Sequence, residues 1–219
     1  RGIGYLTAKT LAKGGHHVIA SMRDIKGHNA AIATELAGWA VEHGHSLEVV
    51  ELDVTSEGSV DSAIQALEER LDIDVLINNA GVGITGPIEE TPDEEIAKAF
   101  ETNYFGPIKV IKAVLPEMRK QNSGLIINIT SIAGYMGLPY RGIYSASKGA
   151  LELTTEAFRM ELKDFNIKMT NVAPGDFATN IAAGRYHAPV LEDSPYKEPY
   201  GNTLKLMNED VDAGKDPFV

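Results

Sequence analysis

The sequence places a phenol and an ammonium four residues apart, with a serine hydroxyl upstream. Tyr144 and Lys148 share one face if their segment is helical. A free tyrosine has a pKa of about 10, and a neighbouring ammonium lowers that pKa, so the phenol can exchange a proton at neutral pH. Ser131 ends an apolar run that reads as a strand, and its hydroxyl can hydrogen-bond the same substrate oxygen. The three groups suit the interconversion of a carbonyl and an alcohol.

These groups account for the proton of such a reaction but not for the hydride. No side chain supplies a hydride, so the chemistry requires a cofactor. A Tyr-x-x-x-Lys pair alone also occurs by chance on helix surfaces. The interpretation therefore depends on the rest of the chain.

The composition is that of a globular protein with an acidic surface. The 219 residues are 43% hydrophobic and 23% charged, with a net charge of -11, which disfavours nucleic acid and anionic membranes as partners. There are no cysteines, so disulfides and thiolate metal sites are excluded, and the six histidines lack metal-ligand spacing. No apolar run reaches the roughly 20 residues of a membrane span. We expect a cytoplasmic protein without a metal.

Helical and strand patterns alternate along the chain. Helices are predicted at residues 5–12, 29–43, 59–71, 92–120 (one or two helices) and 143–164, and strands at residues 17–21, 47–52, 75–77, 125–130 and 167–172. This alternation predicts right-handed βαβ units and a parallel sheet. We expect one domain over residues 1–219, in which the proline-containing tail 176–219 is a loop with one or two short helices that contacts substrate.

The chain begins with a glycine-containing turn before the first helix. Gly2-Ile3-Gly4 is typical of the second half of a turn whose glycines let the backbone approach a pyrophosphate at a helix N-terminus. The strand that should precede this turn lies at the centre of a doubly wound sheet. We therefore expect the chain to be a fragment that lacks its first strand and its C-terminal end.

Several further motifs follow the predicted strands. Asp53-Val54 follows the second strand, and Asn78-Asn79-Ala80-Gly81 follows the third. Asn103 lies in a later helical region, and Pro174-Gly175 follows the strand at 167–172, with Thr179 four residues further on. Taken singly, each motif is ordinary turn chemistry. In this order, with Tyr144 and Lys148, they make the chain resemble the short-chain dehydrogenase/reductase family, from Arg1 to about Thr179.

The resemblance implies a Rossmann-type α/β fold, with a doubly wound parallel sheet in three αβα layers and a tail that is the family's variable substrate loop. It also implies roles for individual residues. Tyr144 would be the general acid/base, Lys148 would assist it and bind the nicotinamide ribose, Ser131 would orient the substrate oxygen, and Asn103 would hold a water of a proton relay. The remaining residues would contact the cofactor: Gly2, Ile3 and Gly4 at the pyrophosphate, Asp53 and Val54 at the adenine, Asn79, Ala80 and Gly81 beneath the cofactor, and Pro174, Gly175 and Thr179 at the nicotinamide.

The residues after the predicted strand 17–21 favour NADP(H) over NAD(H). An acidic residue there binds a ribose 2′-hydroxyl and repels a 2′-phosphate, but this chain has Met22 followed by Arg23. Arginine binds phosphate with a fork of donors, and Arg1 could add a second positive charge. The alternative is that Arg23 pairs with Asp24 or Glu51.

The sequence leaves the substrate, the assembly and part of the function open. Apolar residues near the expected crevice suggest an apolar ketone or alcohol: Val82, Ile84, Tyr135, Met136, Leu138 and Tyr140. The predicted helix 143–164 carries two apolar stripes, and the second can be buried by a neighbouring loop or by another subunit. The resemblance implies that this helix pairs across a dimer axis, so we expect a homodimer or homotetramer. The leading hypothesis is an NADP-dependent oxidoreductase. The alternatives are a catalytically silent NADP-binding regulatory protein, and an isomerase or dehydratase on the same scaffold.

Overall fold

The computed structural model describes residues 2–175 and 184–212, so Arg1 and Thr179, both predicted cofactor ligands, lie outside the described residues. The α-helices are α1 (Ile3–Lys13), α2 (Ala30–Glu42), α3 (Glu57–Glu68), α4 (Asp93–Phe100), α5 (Gly106–Gln121), α6 (Gly142–Glu161) and α7 (Lys197–Asp212). The strands are β1 (Val18–Met22), β2 (Leu47–Glu51), β3 (Val75–Asn78), β4 (Ile84–Thr85), β5 (Gly124–Ile129), β6 (Ile167–Val172) and β7 (Tyr186–His187).

All strand pairs in these ranges are parallel, as the βαβ pattern predicts. β1 pairs with β2, and β3, β5 and β6 form a second group in the order β3-β5-β6. Val75 faces Leu125 across β3 and β5, and Gly124 faces Ile167 across β5 and β6. Within the described residues no strand hydrogen-bonds to both groups. The expectation that a further strand lies between them stays a prediction.

Helices cover both faces of the sheet, which gives the three-layer αβα arrangement. The main core is formed by α3, α5 and the strands β5 and β6, and its fully buried members include Ile111, Val114, Met118 and Ile126. The buried side chains of α1 and α2 lie outside that cluster: Ala8, Ala12, Ala33, Leu36 and Ala40. This is the Rossmann-type, doubly wound α/β fold predicted from the sequence.

Two elements differ from the sequence-based expectation. The predicted helical region 92–120 is α4 and α5 joined by a π-helical segment, Glu101–Phe105. The tail is more regular than predicted: it contains the strand β7, which pairs with β4, and the 16-residue helix α7 rather than short helices. The prolines of this segment argued against a long helix, but Pro199 lies in the first turn of α7. A proline is tolerated at that position of a helix.

Every helix of the described ranges is too short or too polar to span a lipid bilayer.

Candidate active site

Ser131 lies just after the C-terminal end of β5, at the start of a turn that packs on α6. Ser131 is the N-cap of a 3₁₀ helix, Ile132–Tyr135, and its Oγ accepts a hydrogen bond from the Ala133 N–H at 3.2 Å. The 3₁₀ helix packs backbone to backbone on α6: a Cβ built on Gly149 would lie 2.9 Å from the Gly134 carbonyl oxygen. Only glycines permit this approach, so Gly134 and Gly149 fix the distance between the serine turn and the helix that carries Tyr144 and Lys148.

Tyr144 and Lys148 lie one turn apart in the first half of α6, as predicted. Tyr144 is partly exposed, whereas Lys148 is 4% exposed and its Nζ donates to the Ile129 carbonyl oxygen at 3.0 Å. Burial lowers the pKa of Lys148 to about 8, although the negative charge of Glu152 opposes the shift. A buried amine held at the end of β5 is a perturbed titratable group of the kind found at functional sites.

Asn103 lies in the π-helical segment and is fully buried. Its Oδ1 accepts from the Val82 N–H at 2.8 Å, and its Nδ2 donates to the Val82 carbonyl at 2.9 Å. Both Asn103 and Lys148 reach Gly81, where a Cβ would lie 3.3 Å from Asn103 Oδ1 and 3.3 Å from Lys148 Nζ. The structure thus brings together Asn103, Lys148 and the Gly81 turn, and single-turn π insertions are frequent at functional sites.

A buried chain of polar side chains connects the sheet to α6. Asn78 Nδ2 donates to Asn128 Oδ1 at 2.9 Å, and Asn128 Nδ2 donates to Thr155 Oγ1 at 2.9 Å. Asn78 and Asn128 are paired across β3 and β5. Sequence reasoning missed Asn128 and Thr155. The available signal was an asparagine inside the apolar run of a central strand, where an unsatisfied amide would be strongly unfavourable.

The N-terminus of α1 fits a pyrophosphate. Gly2 is the N-cap, and the first helical hydrogen bond runs from the Leu6 N–H to the Gly2 carbonyl. The N–H groups of the first turn lack helical acceptors, and they attract anions together with the helix dipole. A Cβ on Gly4 would collide with the Asn79 side chain, so the predicted residues Gly2, Ile3, Gly4 and Asn79 meet at one place. Asn79 and Ala80 are exposed beside them.

Asp53 and Val54 follow β2, as predicted for an adenine site. Asp53 Oδ1 accepts from the Thr55 N–H at 2.9 Å and from the Thr55 hydroxyl at 2.8 Å. Partial burial disfavours the Asp53 carboxylate, but these bonds and the charges of Arg23 and Lys109 keep its pKa below the ordinary value. Val54 packs against the start of α5 at Gly106.

Arg23 is exposed and lines a cavity of about 390 Å³ together with Thr55 and Val82. The two carboxylates proposed as alternative partners hydrogen-bond to backbone groups. Glu51 accepts from the N–H groups of Asp24 and Ile25 at 2.5 and 2.9 Å, and Asp24 accepts from the His28 N–H at 2.7 Å. Arg23 directly follows β1, and its positive charge contributes to the lowered pKa of Asp53.

The residues predicted to contact the nicotinamide and the substrate lie partly within the described ranges. Pro174 follows β6, and its carbonyl accepts from the Ile132 N–H at 3.1 Å, next to Ser131, while Gly175 is exposed beyond it. Of the apolar residues expected near the substrate, Tyr135 and Met136 are 64% and 58% exposed. Ile84 is 3% exposed in β4 and lines the same cavity as Arg23 and Val82, and its contact with substrate stays a prediction.

The described part of the tail packs on the loop that follows Gly81. Arg185 packs on Gly83, and the strand β7 pairs with β4 through Tyr186 and Ile84. The buried Tyr200 of α7 donates to the carbonyls of Thr85 at 3.2 Å and Ala188 at 3.0 Å. These bonds hold the described part of the tail to the same side of the sheet as Val82 and the cavity.

Comparisons with known proteins agree with this geometry. Residues 1–189 match the family model described as short chain dehydrogenase. The chain is 38% identical over 218 residues to the 3-ketodihydrosphingosine reductase of Bacteroides thetaiotaomicron, covering 99% of this chain and 76% of that protein. It is 38% identical over 211 residues to bovine (Bos taurus) retinol dehydrogenase 8, covering 95% of this chain and 65% of the relative.

Solved structures give the same result. A short-chain dehydrogenase from Streptomyces avermitilis superimposes with a TM-score of 0.82 at 32% identity, covering 94% of this chain and 75% of that one. A gluconate 5-dehydrogenase from Burkholderia cenocepacia, solved in complex with NADP and tartrate, has a TM-score of 0.77 at 28% identity, covering 90% and 73%. The chain therefore belongs to the short-chain dehydrogenase/reductase family of NAD(P)-binding oxidoreductases.

Proposed function

We propose that the protein is an NADP-dependent oxidoreductase that interconverts a ketone or aldehyde and an alcohol, with Tyr144 as the general acid/base. The observation that carries this proposal is the buried amine of Lys148, which lies one helical turn after Tyr144. This amine donates a hydrogen bond to the Ile129 carbonyl oxygen. An isolated buried lysine is unfavourable, so its retention beside a tyrosine and a glycine turn favours a catalytic role.

The side chains have complementary roles in this reaction. The positive charge of Lys148 favours the phenolate of Tyr144, which prepares the phenol to transfer a proton to or from the substrate oxygen. Ser131 Oγ accepts from the Ala133 N–H, which leaves its O–H available to donate to the same oxygen. Asn103 holds the Val82 backbone, and with it the Gly81 turn against which the Lys148 amine lies.

The chain's own groups would hold the cofactor at three places. The N-terminus of α1 would bind the pyrophosphate, the residues Asp53 and Val54 would flank the adenine, and the exposed Arg23 would bind a 2′-phosphate. Gly81 leaves space beside Lys148 that a side chain would fill. When bound, NADPH supplies the hydride that no side chain can provide.

The relatives suggest a long apolar substrate. The names of the two sequence relatives refer to a ketosphingoid base and a retinoid, and both match more than nine-tenths of this chain. The gluconate 5-dehydrogenase is less similar, at 28% identity. We therefore propose a lipid-like carbonyl compound or alcohol rather than a sugar acid.

The test is turnover of NADPH by the full chain with 3-ketodihydrosphingosine, retinal and gluconate-type keto acids as substrates. We expect consumption with an apolar carbonyl compound, loss of turnover in Tyr144→Phe, and retained NADPH binding measured by fluorescence. Tyr196→Phe is the matched control, because that phenol bonds Glu89 at the surface. Full activity of Tyr144→Phe would contradict the proposed mechanism. Binding without turnover in wild type would favour the regulatory alternative.

We also propose that the protein forms a homodimer or homotetramer through α6. One apolar stripe of this helix is buried, with Leu151 at 1% exposure, whereas Leu153 and Met160 on the other stripe are each 70% exposed. Burial of the second stripe by another copy would remove apolar area from water. The mass in solution tests this proposal: Leu153→Glu should shift an oligomer toward the monomer, and a monomeric wild type would contradict it.

A further inference from the structure

Two serines lie between Tyr144 and Lys148, and both are buried, but they differ in hydrogen bonding. Ser147 is 0% exposed; its Oγ accepts from Asn103 Nδ2 at 3.1 Å and donates to the Tyr144 carbonyl at 2.8 Å. Ser145 is 6% exposed, and within the described parts of the chain its Oγ has no hydrogen-bond partner. The predicted catalytic set includes neither serine.

The contacts of Asn103 define the direction of its amide. The Val82 N–H is a donor, so the atom that faces it at 2.8 Å must be the oxygen. The nitrogen then faces the Val82 carbonyl and Ser147 Oγ, which take its two N–H donors. The Asn103 side chain therefore bridges the Val82 backbone and Ser147, and its orientation depends on both partners.

Ser147 is suited to orient the Asn103 side chain. Its hydroxyl hydrogen is directed to the carbonyl three residues earlier, a bond that serine commonly makes within helices. An oxygen lone pair then points at Asn103. Because α6 carries Ser147 together with Tyr144 and Lys148, one hydroxyl joins the first turn of that helix to the π-helical segment.

We propose that Ser147 is a positioning residue of the active site, which acts through Asn103 to hold the Gly81–Val82 turn against the Lys148 amine. The proposal rests on the oxidoreductase function proposed above. Removing the hydroxyl leaves an Asn103 N–H buried without a partner, which is more unfavourable than the loss of an exposed bond. The amide would then turn or shift, and the Gly81 surface beside Lys148 would shift with it.

The two serines provide a matched comparison. Ser147→Ala and Ser145→Ala each remove one buried hydroxyl from the same helical turn, but only the first breaks hydrogen bonds. We expect Ser147→Ala to lower kcat by about tenfold, the equivalent of one buried hydrogen bond, with NADPH affinity unchanged. Ser145→Ala should retain the wild-type kcat. Equal kcat values for the two variants, in an enzyme that Tyr144→Phe inactivates, would overturn the proposal and leave the proposed function intact.

A double-variant cycle separates positioning from a general effect on the fold. If Ser147 acts through Asn103, then Ser147→Ala has no further effect on kcat in the Asn103→Ala background. Multiplied losses, or a loss explained by a fall in thermal stability alone, would contradict the role. If Ser147→Ala does not fold, Ser147→Cys carries the same test, because a thiol fills the site with a weaker hydrogen-bonding group. The side-chain amide signal of Asn103 in NMR should lose its protection from exchange in the Ser147 variants and keep it in Ser145→Ala.

Discussion

Lys148, Asn103 and Ser147 are each at most 4% exposed, whereas Arg23, at the other end of the proposed cofactor cleft, is an exposed side chain. The first group is fixed by hydrogen bonds to the backbone of Ile129, Val82 and Tyr144. Around Arg23, by contrast, the acidic neighbours Asp24 and Glu51 bond backbone N–H groups.

This difference separates the chemistry from the choice of cofactor. A buried, hydrogen-bonded network tolerates few substitutions, because a change in one member can leave its polar partner without a hydrogen bond. An exposed side chain at a strand end can change with little effect on stability. We therefore expect changes at the Lys148 end to affect the rate of the reaction, and changes at the Arg23 end to affect cofactor preference.

The largest effect is expected at Lys148. Lys148→Met removes the charge beside Tyr144 and should lower kcat by about 10²- to 10⁴-fold, the usual contribution of proton-transfer catalysis. Stability should not fall, because an apolar side chain replaces a buried amine. Steady-state kinetics and thermal unfolding of the same preparation provide the check. An inactive variant with a much lower Tm would instead indicate that Lys148 has a structural role.

The pH dependence of stability tests whether the Lys148 amine is buried. The pKa of Lys148 is lowered from 10.5 to about 8 in the folded chain, so between these values the unfolded state binds more protons. The free energy of unfolding of the cofactor-free protein should therefore rise from pH 8 to pH 10.5 relative to Lys148→Met, by about 3 kcal/mol at most. Below pH 8 the difference should be constant. Urea denaturation of both proteins at pH 7.5 and 10.5 measures it, and parallel curves would contradict a buried amine.

At the other end of the cleft, Arg23→Asp should reverse the cofactor preference. Loss of a charge-assisted bond to a 2′-phosphate should weaken NADPH binding by roughly 10- to 100-fold, and the new carboxylate should favour the ribose hydroxyl of NADH. The Tm should be unchanged. Arg119→Asp, at the C-terminal end of α5, makes the same change in net charge and serves as the control. An unchanged ratio of NADPH to NADH affinity would remove Arg23 from the cofactor site.

A smaller effect is expected from the glycine contact that positions Ser131. Gly149→Ala inserts a Cβ 2.9 Å from the Gly134 carbonyl oxygen, and such overpacking should lower the free energy of unfolding by about 1–3 kcal/mol. Gly58→Ala in α3 has open space around it and should raise stability by roughly 0.5–1 kcal/mol through helix propensity. Chemical denaturation of the two variants compares them. A stabilised Gly149→Ala would show that the close approach is not required.

Much of the fold was predictable, because helices and strands of this chain have clear hydrophobic periods. The strands β1, β2, β3, β5 and β6 lie within two residues of the predicted ranges. The π-helical segment was not predictable, since the pattern 92–120 is continuous and a one-residue insertion leaves no compositional mark. Nor was β4–β7 pairing, which joins two-residue strands separated by about a hundred positions.

The candidate site shows the same division between local and long-range information. Sequence analysis could identify the i, i+4 pair of Tyr144 and Lys148 and the glycines at the N-terminus of α1, because the geometry of each is set within one element. The roles of Gly134, Gly149 and Ser147 depend on which elements meet in space. Their only local signal was a glycine inside a helix, which is unfavourable unless close packing requires it.

Transfer of hydride to a carbonyl carbon is the central claim, and isotope labelling tests it most directly. NADPH carrying deuterium at C4 of the nicotinamide is incubated with the full chain and the apolar carbonyl compound that supports turnover. We predict an alcohol with deuterium on the carbinol carbon, formed in amounts equal to the NADPH consumed and absent with Tyr144→Phe. A product that forms without deuterium and without loss of NADPH would contradict the account and indicate an isomerase or a dehydratase.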